Sequence, residues 1–263
     1  MKNNKKIKIH VKNNHWAPGS FPSDAEGEKN FTITKEHLDQ ALKNFPEIKE
    51  KVEIFIDWDE DNFKTSMSNS DILLTWNFST KNLEKIAPNL KWVHLISAGV
   101  EHLLPLDWMF DGLVLTNSSG AHAKKSGEYG LMSILMLQNH MTKLITNQKN
   151  KKFVSLFSNP IAGKKVVLVG TGALGSSMAK LVAPLGASII GVNKKGRMVE
   201  GCSKVITIDK IDSVLPDADF LYLAVPDTPE TKNLISRDRL NLLKPTCGIV
   251  NIGRQSVMDY DAL

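Results

Sequence analysis

The chain has 263 residues, 42% of them hydrophobic and 23% charged, the balance of a globular rather than a disordered protein. Basic side chains exceed acidic ones by 33 − 28 = 5, and the Lys-rich stretches at 2–8 and 149–152 read as solvated surface, so nucleic acid is not expected as a partner. No apolar run is long enough to span a membrane, Lys8, His10, Lys12 and Asn13 interrupt any secretory core, and Cys202 and Cys247 lack a C-x-x-C or histidine neighbour. A cytoplasmic, reducing setting without metal or disulfide framework is therefore expected.

In chain order, short apolar runs at 7–11, 52–56, 72–76, 92–96 and 113–115 alternate with helical stretches near 35–43 and 80–86, which implies a parallel sheet. Asn13 to Asn30 contains Pro18, Gly19, Pro22 and Gly27 and reads as a long polar loop. Ser126 to Ile145 has one long helical pattern, with Tyr129, Met132, Leu135, Met136, His140 and Met141 near a common stripe that reads as core. Thr146 to Gly163 is polar and broken by Pro160. Further strands are expected at 166–169, 188–192, 205–208, 220–225 and 249–252. The division expected is a smaller first domain, 1–117, and a doubly wound second domain, 118–263.

The run Val166-Val167-Leu168-Val169-Gly170-Thr171-Gly172-Ala173-Leu174-Gly175 joins a buried strand to a glycine turn and a helix start. A lone G-x-G-x-x-G is weak, but here a β-branched strand precedes it, good helix formers follow, and Ser188 to Val192 completes a βαβ unit. In such a turn Gly170 permits the bend, Gly172 admits a pyrophosphate to backbone N–H groups, and Gly175 lets helix and strand pack closely. Ala173 and Leu174 open the helix, whose N-terminus offers unpaired donors to an anion. About twenty residues on, where NAD sites place an acid against the ribose, the sequence is Asn193-Lys194-Lys195-Gly196-Arg197. Asn193 can accept a hydrogen bond, and Lys194, Lys195 and Arg197 suit a 2′-phosphate, so NADP(H) is expected in preference to NAD(H).

Two further groups suit a small anionic ligand. The N–H groups of a glycine turn at Ala98, Gly99 and Val100 can hold a carboxylate, and Arg254, just past a strand, presents a planar cationic fork. Taken together and in order, Trp92-Val93-His94-Leu95-Ile96-Ser97-Ala98-Gly99-Val100, the glycine motif, Ala224-Val225-Pro226-Asp227-Thr228-Pro229-Glu230-Thr231 and Leu243-Lys244-Pro245 before Val250-Asn251-Ile252-Gly253-Arg254 carry a resemblance. The chain resembles the D-isomer-specific 2-hydroxyacid dehydrogenases, a family that includes glyoxylate and hydroxypyruvate reductases and phosphoglycerate dehydrogenases.

The resemblance implies an α/β fold of two doubly wound parallel-sheet domains, a flavodoxin-like substrate domain and a Rossmann dinucleotide-binding domain lacking its last strands. It implies hydride transfer between NAD(P)H and a small 2-oxo acid or D-2-hydroxy acid in a cleft between domains, and a homodimer if the chain is complete. It places the substrate carboxylate on Ala98 to Val100, the catalytic arginine at Arg254, and Val225 and Pro226 beside the cofactor. Thr231 is expected to cap the next helix.

The family's proton donor, a histidine paired with a carboxylate, lies downstream of the arginine, and no counterpart stands before Leu263. A fragment of a longer protein with an unpaired sheet edge is the expectation drawn from that. His102 and His122 read as surface or structural, His94 as a strand residue, and His10, His15, His37 and His140 have no supporting constellation. The alternative reading is a non-catalytic nicotinamide-nucleotide-binding or sensing module; Arg254 together with the carboxylate turn speaks against it.

Overall fold

The computed structural model describes residues 5–19, 25–59 and 61–263, which divide into two compact units, Met1–Ser119 and Gly120–Leu263. In the first, the apolar runs form five parallel strands: β1 (Ile7–Asn13), β2 (Val52–Trp58), β3 (Ile72–Thr75), β4 (Trp92–Leu95) and β5 (Val114–Asn117). Their order is β2-β1-β3-β4-β5, the doubly wound arrangement of flavodoxin-like sheets. The connections carry short helices α1 (Ala25–Phe31), α2 (Lys35–Lys43), α3 (Pro46–Lys49), α4 (Phe63–Met67) and α5 (Leu83–Ile86). Leu73, Val93 and Leu95 project from the sheet into a cluster closed by Phe63, Met67 and Leu83. Thr34 starts α2 by accepting a hydrogen bond from the His37 N–H.

The second unit has helices α6 (Ala123–Gln138), α7 (Met141–Lys149), α8 (Ala173–Val182) and α9 (Arg237–Asn241), with strands β6 (Lys165–Val169), β7 (Ser188–Asn193), β8 (Lys204–Thr207), β9 (Phe220–Leu223) and β10 (Gly248–Asn251). All pairings are parallel in the order β10-β9-β6-β7-β8, so the first strand of the unit is central and the chain reverses direction between β6 and β9. Strand alternation shows why the sheet is buried on both faces. Val167 and Val169 join Val192, Leu221 and Leu223 in one cluster, whereas Val166 and Leu168 join Ile189, Phe220 and Tyr222 in the other. Met178, Ala179 and Val182 of α8 and Ile134 of α6 cover the second face.

Several expectations need correction. The helix expected at 126–145 is two helices, because the Asn139 carboxamide bonds back to the Leu135 carbonyl and His140 turns left-handed at φ 55°. Its buried stripe is also different: Gly127, Gly130 and Ile134 face inward, while Tyr129 and Met132 are about half exposed. Gly130 brings α6 so close to the sheet that a Cβ there would stand 2.6 Å from the Tyr222 hydroxyl, and Gly127 brings it similarly close to Ser177 of α8. Asn82, left-handed at φ 58°, restricts the helix expected at 80–86 to Leu83–Ile86. Within the loop expected at 13–30, Asn13 ends β1 and Ala25–Phe31 is helical; its residues 20–24, with Pro22, lie outside the described residues. The polar stretch after 146 begins as the end of α7 and continues irregularly past Phe153 and Phe157, which are 97% and 89% exposed.

Tyr222 and His10 are among the buried polar residues left without partners among the described residues. Tyr222 is fully buried, its hydroxyl makes no hydrogen bond, and burial pushes the phenol up to about 12. Tyr222→Phe should therefore preserve the fold and raise unfolding free energy by about 1 kcal/mol in urea titrations followed by far-UV dichroism; a loss above about 1 kcal/mol would show that the hydroxyl has a partner.

His10 lies buried between the rings of Phe55 and Phe63, neither ring nitrogen is bonded, and burial pushes it down to about 4 from 6.5. The unfolded chain binds this proton more readily than the folded one. Stability is therefore lost as pH falls from about 6.5 to about 4, by on the order of 3 kcal/mol. All five tryptophans lie in the first unit, so their fluorescence reports its unfolding. His10→Leu should flatten the dependence on pH over that window, and an unchanged slope would locate the titrating group elsewhere.

Candidate functional site

The glycine turn is built where β6 ends. Gly170 sits at φ +95°, and a Cβ there would meet the Ala224 carbonyl oxygen at 2.5 Å, so only glycine satisfies both the bend and the neighbouring strand. A Cβ on Gly175 would stand 2.0 Å from the Gly170 carbonyl oxygen, which presses the first turn of α8 onto the end of β6. Gly172 is different: nothing lies within 4 Å of its added Cβ. It caps α8 with no side-chain hydrogen bond, and the N–H groups of Gly172, Ala173 and Leu174 have no protein acceptor among the described residues. Open space beside unpaired donors at a helix N-terminus fits the diphosphate of a dinucleotide.

Next to this turn, the carboxyl ends of β6, β7 and β9 enclose a largely apolar cavity of about 230 Å³. Val192, Ile208, Val225 and Leu234 form its walls, with Pro226 at one side and Lys194 and Glu230 at its mouth. Thr231 does not cap a helix as expected. Its buried hydroxyl donates to the Pro226 carbonyl at 2.6 Å and accepts the Thr228 N–H at 2.8 Å, bracing the loop that forms this wall.

The basic turn after β7 is organised by Asn193. Its Oδ1 accepts the N–H groups of Lys195 and Arg197, while Nδ2 donates to the Thr171 hydroxyl and the Arg197 carbonyl. The carboxamide thus ties the glycine turn to the basic turn, and Lys194, Lys195 and Arg197 project exposed charges beside it.

Arg254 follows β10, also at the carboxyl edge of this sheet. Asn251 shapes its loop: Oδ1 accepts the Gly253 N–H, and Nδ2 donates to the Arg254 carbonyl and to the Tyr260 hydroxyl. Arg254 lines a cavity of about 670 Å³ with Asp227, Asn233 and Asp259. The structure therefore brings the glycine turn, the basic turn, Val225, Pro226 and Arg254 to one sheet edge.

Ala98, Gly99 and Val100 lie in the first unit, just past β4. All three carbonyls are taken: Asn117 Nδ2 donates to Ala98, Ser97 Oγ to Gly99 and the Leu103 N–H to Val100. None of the three N–H groups has a protein acceptor among the described residues. The turn thus has its carbonyls locked and its three consecutive donors unpaired, the chemistry that suits an anion.

Of the histidines, His102 donates from Nε2 to the Trp76 carbonyl, and His94 bonds Thr116. His15, which lacked a constellation in the sequence, bonds Asp59 through both its N–H and its ring, and stacks on Trp58. Sequence reasoning missed this pair because its members are 44 residues apart. Glu230 was missed although its motif was visible, since only the folded loop brings it to the cavity mouth.

This arrangement defines an α/β protein with a dinucleotide-binding unit. The D-isomer specific 2-hydroxyacid dehydrogenase, NAD binding domain family matches residues 131–263, just over half the chain. The chain belongs to the D-isomer specific 2-hydroxyacid dehydrogenase family. Among curated relatives, a D-3-phosphoglycerate dehydrogenase from Synechocystis sp. is 26% identical over 217 residues, covering 76% of this chain and 38% of that protein. A family member from Aeromonas salmonicida has a solved structure that superimposes with a TM-score of 0.76 at 21% identity, covering 98% of this chain and 76% of that one. The NADPH-dependent glyoxylate/hydroxypyruvate reductase from Sinorhizobium meliloti, solved with NADP and sulfate, gives 0.74 at 22% identity, with the same coverages. These likenesses show a shared fold. The chain spans from 38% to 63% of the length of curated relatives it matches. No helix among the described residues is long and apolar enough to cross a membrane.

Two of these glycines make separable predictions. Gly175→Ala should destabilise the second unit by more than about 2 kcal/mol, because backbone must move. Gly172→Val should leave thermal unfolding nearly unchanged yet weaken NADPH binding at least tenfold by calorimetry, since its side chain occupies the space beside the free donors. Wild-type affinity in Gly172→Val would place the diphosphate elsewhere.

Proposed function

We propose that the protein transfers hydride between NAD(P)H and a small 2-oxo acid or D-2-hydroxy acid of the glyoxylate or hydroxypyruvate type. The observation that carries this reading is the turn at Ala98 to Val100, whose three free N–H groups match a carboxylate. A protein that only sensed a nucleotide would need neither this turn nor a presented arginine.

The residues divide the work. The donors of Ala98, Gly99 and Val100 hold the substrate carboxylate and fix the direction of its carbonyl. Arg254, charged at every working pH, binds the 2-oxygen and stabilises the negative charge that develops there. Gly172, Ala173 and Leu174 anchor the diphosphate, and Val225 and Pro226 flank the nucleoside. A bound nicotinamide supplies or accepts the hydride.

Lys194, Lys195 and Arg197 support a preference for NADP(H) over NAD(H), and the reductase from Sinorhizobium meliloti solved with NADP is consistent with it. Phe153 and Phe157, almost wholly exposed after α7, with Tyr129 and Met132 on α6, support self-association as a homodimer.

The test is to follow NADPH and NADH oxidation by the purified protein with glyoxylate and hydroxypyruvate. No residue of 1–263 is assigned to protonate the forming alkoxide, so NADPH oxidation is expected to be slow, with that proton drawn from solvent, and Arg254→Lys, which keeps the charge but loses the planar fork, should lower kcat/KM by about 10²-fold. Nucleotide binding without oxidation by either acid would contradict the proposed reaction.

A further inference from the structure

We propose that Glu230 is the residue that discriminates between the two nicotinamide dinucleotides, accepting the ribose hydroxyls of NAD(H) and opposing the 2′-phosphate of NADP(H) across the cavity mouth from Lys194. This inference rests on the dinucleotide reading above and deepens it.

The argument begins with acceptors. A ribose carrying two free hydroxyls needs an oxygen to receive them, and the residue at the end of β7 normally supplies it. Here that residue is Asn193, and its single acceptor oxygen already takes the N–H groups of both Lys195 and Arg197. A carboxamide oxygen has two lone-pair sites, so Asn193 has no acceptor capacity left. Its other end is spent as well, since Nδ2 donates within the fold to Thr171 and Arg197.

The opposite wall supplies what Asn193 lacks. The loop after β9 carries Glu230 to the same cavity, and Lys194 and Glu230 are its only charged lining residues. Hydrogen bonding from Thr228, its own backbone N–H and the positive charge of Lys194 hold the Glu230 carboxyl below the usual range. It is therefore an anion at neutral pH, and it lines the cavity beside the glycine turn. Thr231 fixes the loop through the Pro226 carbonyl and the Thr228 N–H, so the acid is presented on a braced turn.

The two charges then act oppositely. A 2′-phosphate carries about −1.5 to −2 charges at neutral pH, by analogy with phosphorylated side chains, and is drawn to Lys194 while being repelled by Glu230. A free ribose gains hydrogen bonds from Glu230 and nothing from the surplus of cations. Glu230 therefore narrows the NADP(H) preference that Lys194, Lys195 and Arg197 support.

Calorimetric titration of the whole chain with NADPH and with NADH tests this directly, for the wild type, Glu230→Gln and Lys194→Gln. Glu230→Gln should tighten NADPH roughly fivefold relative to NADH, and Lys194→Gln should move the ratio the other way. The change should shrink between about 50 mM and about 500 mM salt, which a merely structural effect would not do. An unchanged ratio in Glu230→Gln, or parallel shifts of both nucleotides, would overturn the role of Glu230 and leave the dinucleotide site standing. Failure of the wild type to bind either nucleotide would overturn the site and this inference together.

Discussion

The approach of α8 to the end of β6 governs the second unit. With hydrogen in place of a side chain at Gly175, the helix start closes to a distance at which a Cβ would be 2.0 Å from the Gly170 oxygen. That closeness aims the free N–H groups of the first helical turn over the sheet edge. Gly170, left-handed and pressed on the Ala224 carbonyl, fixes where the turn begins and ties it to β9. Because β6 is central and hydrogen-bonded to β7 on one side and β9 on the other, every other part of the site inherits its position from this contact.

The chemistry lies in loops at the carboxyl ends of strands, as it does generally in open α/β sheets. What distinguishes this chain is how fully those loops are braced by their own polar groups. Asn193 spends its whole carboxamide on the basic turn, Asn251 on the arginine loop, Thr231 on the loop after β9, and Asn117 and Ser97 on the carbonyls of the anion turn. The braced carbonyls and carboxamides are satisfied internally, and the groups these loops leave exposed are the N–H donors of 98–100 and 172–174 and the cations of Lys194, Lys195 and Arg197. A dinucleotide and a 2-oxo acid, the two ligands of the proposed reaction, are both anions.

Strands were the most legible part of the sequence, because a sheet buried on both faces demands continuous apolar runs, and those runs stand out between polar connections. The glycine motif was legible for a related reason: backbone crowding leaves little alternative to glycine at Gly170 and Gly175. Helix ends were less legible. The break at His140 depends on the Asn139 carboxamide returning to Leu135, and Asn is common enough in helices that its presence alone does not announce a stop. The buried stripe of α6 was misplaced because the usual signal is a row of large apolar side chains, whereas this helix buries Gly127 and Gly130 against Ser177, Met178 and Tyr222. Neighbours brought together across long sequence separations, such as His15 bonded to Asp59 and Lys194 lining one cavity with Glu230, carry no periodic or local signal and become visible only in the fold.

The central claim is that backbone donors of the glycine turn hold the diphosphate of a nicotinamide dinucleotide. Amide NMR of the uniformly labelled, deuterated protein during titration with NADPH measures those donors individually. The account predicts the largest shifts at Gly172, Ala173 and Leu174, with smaller ones across 193–197 and 225–231. Saturable binding that leaves the three amides unmoved would contradict it.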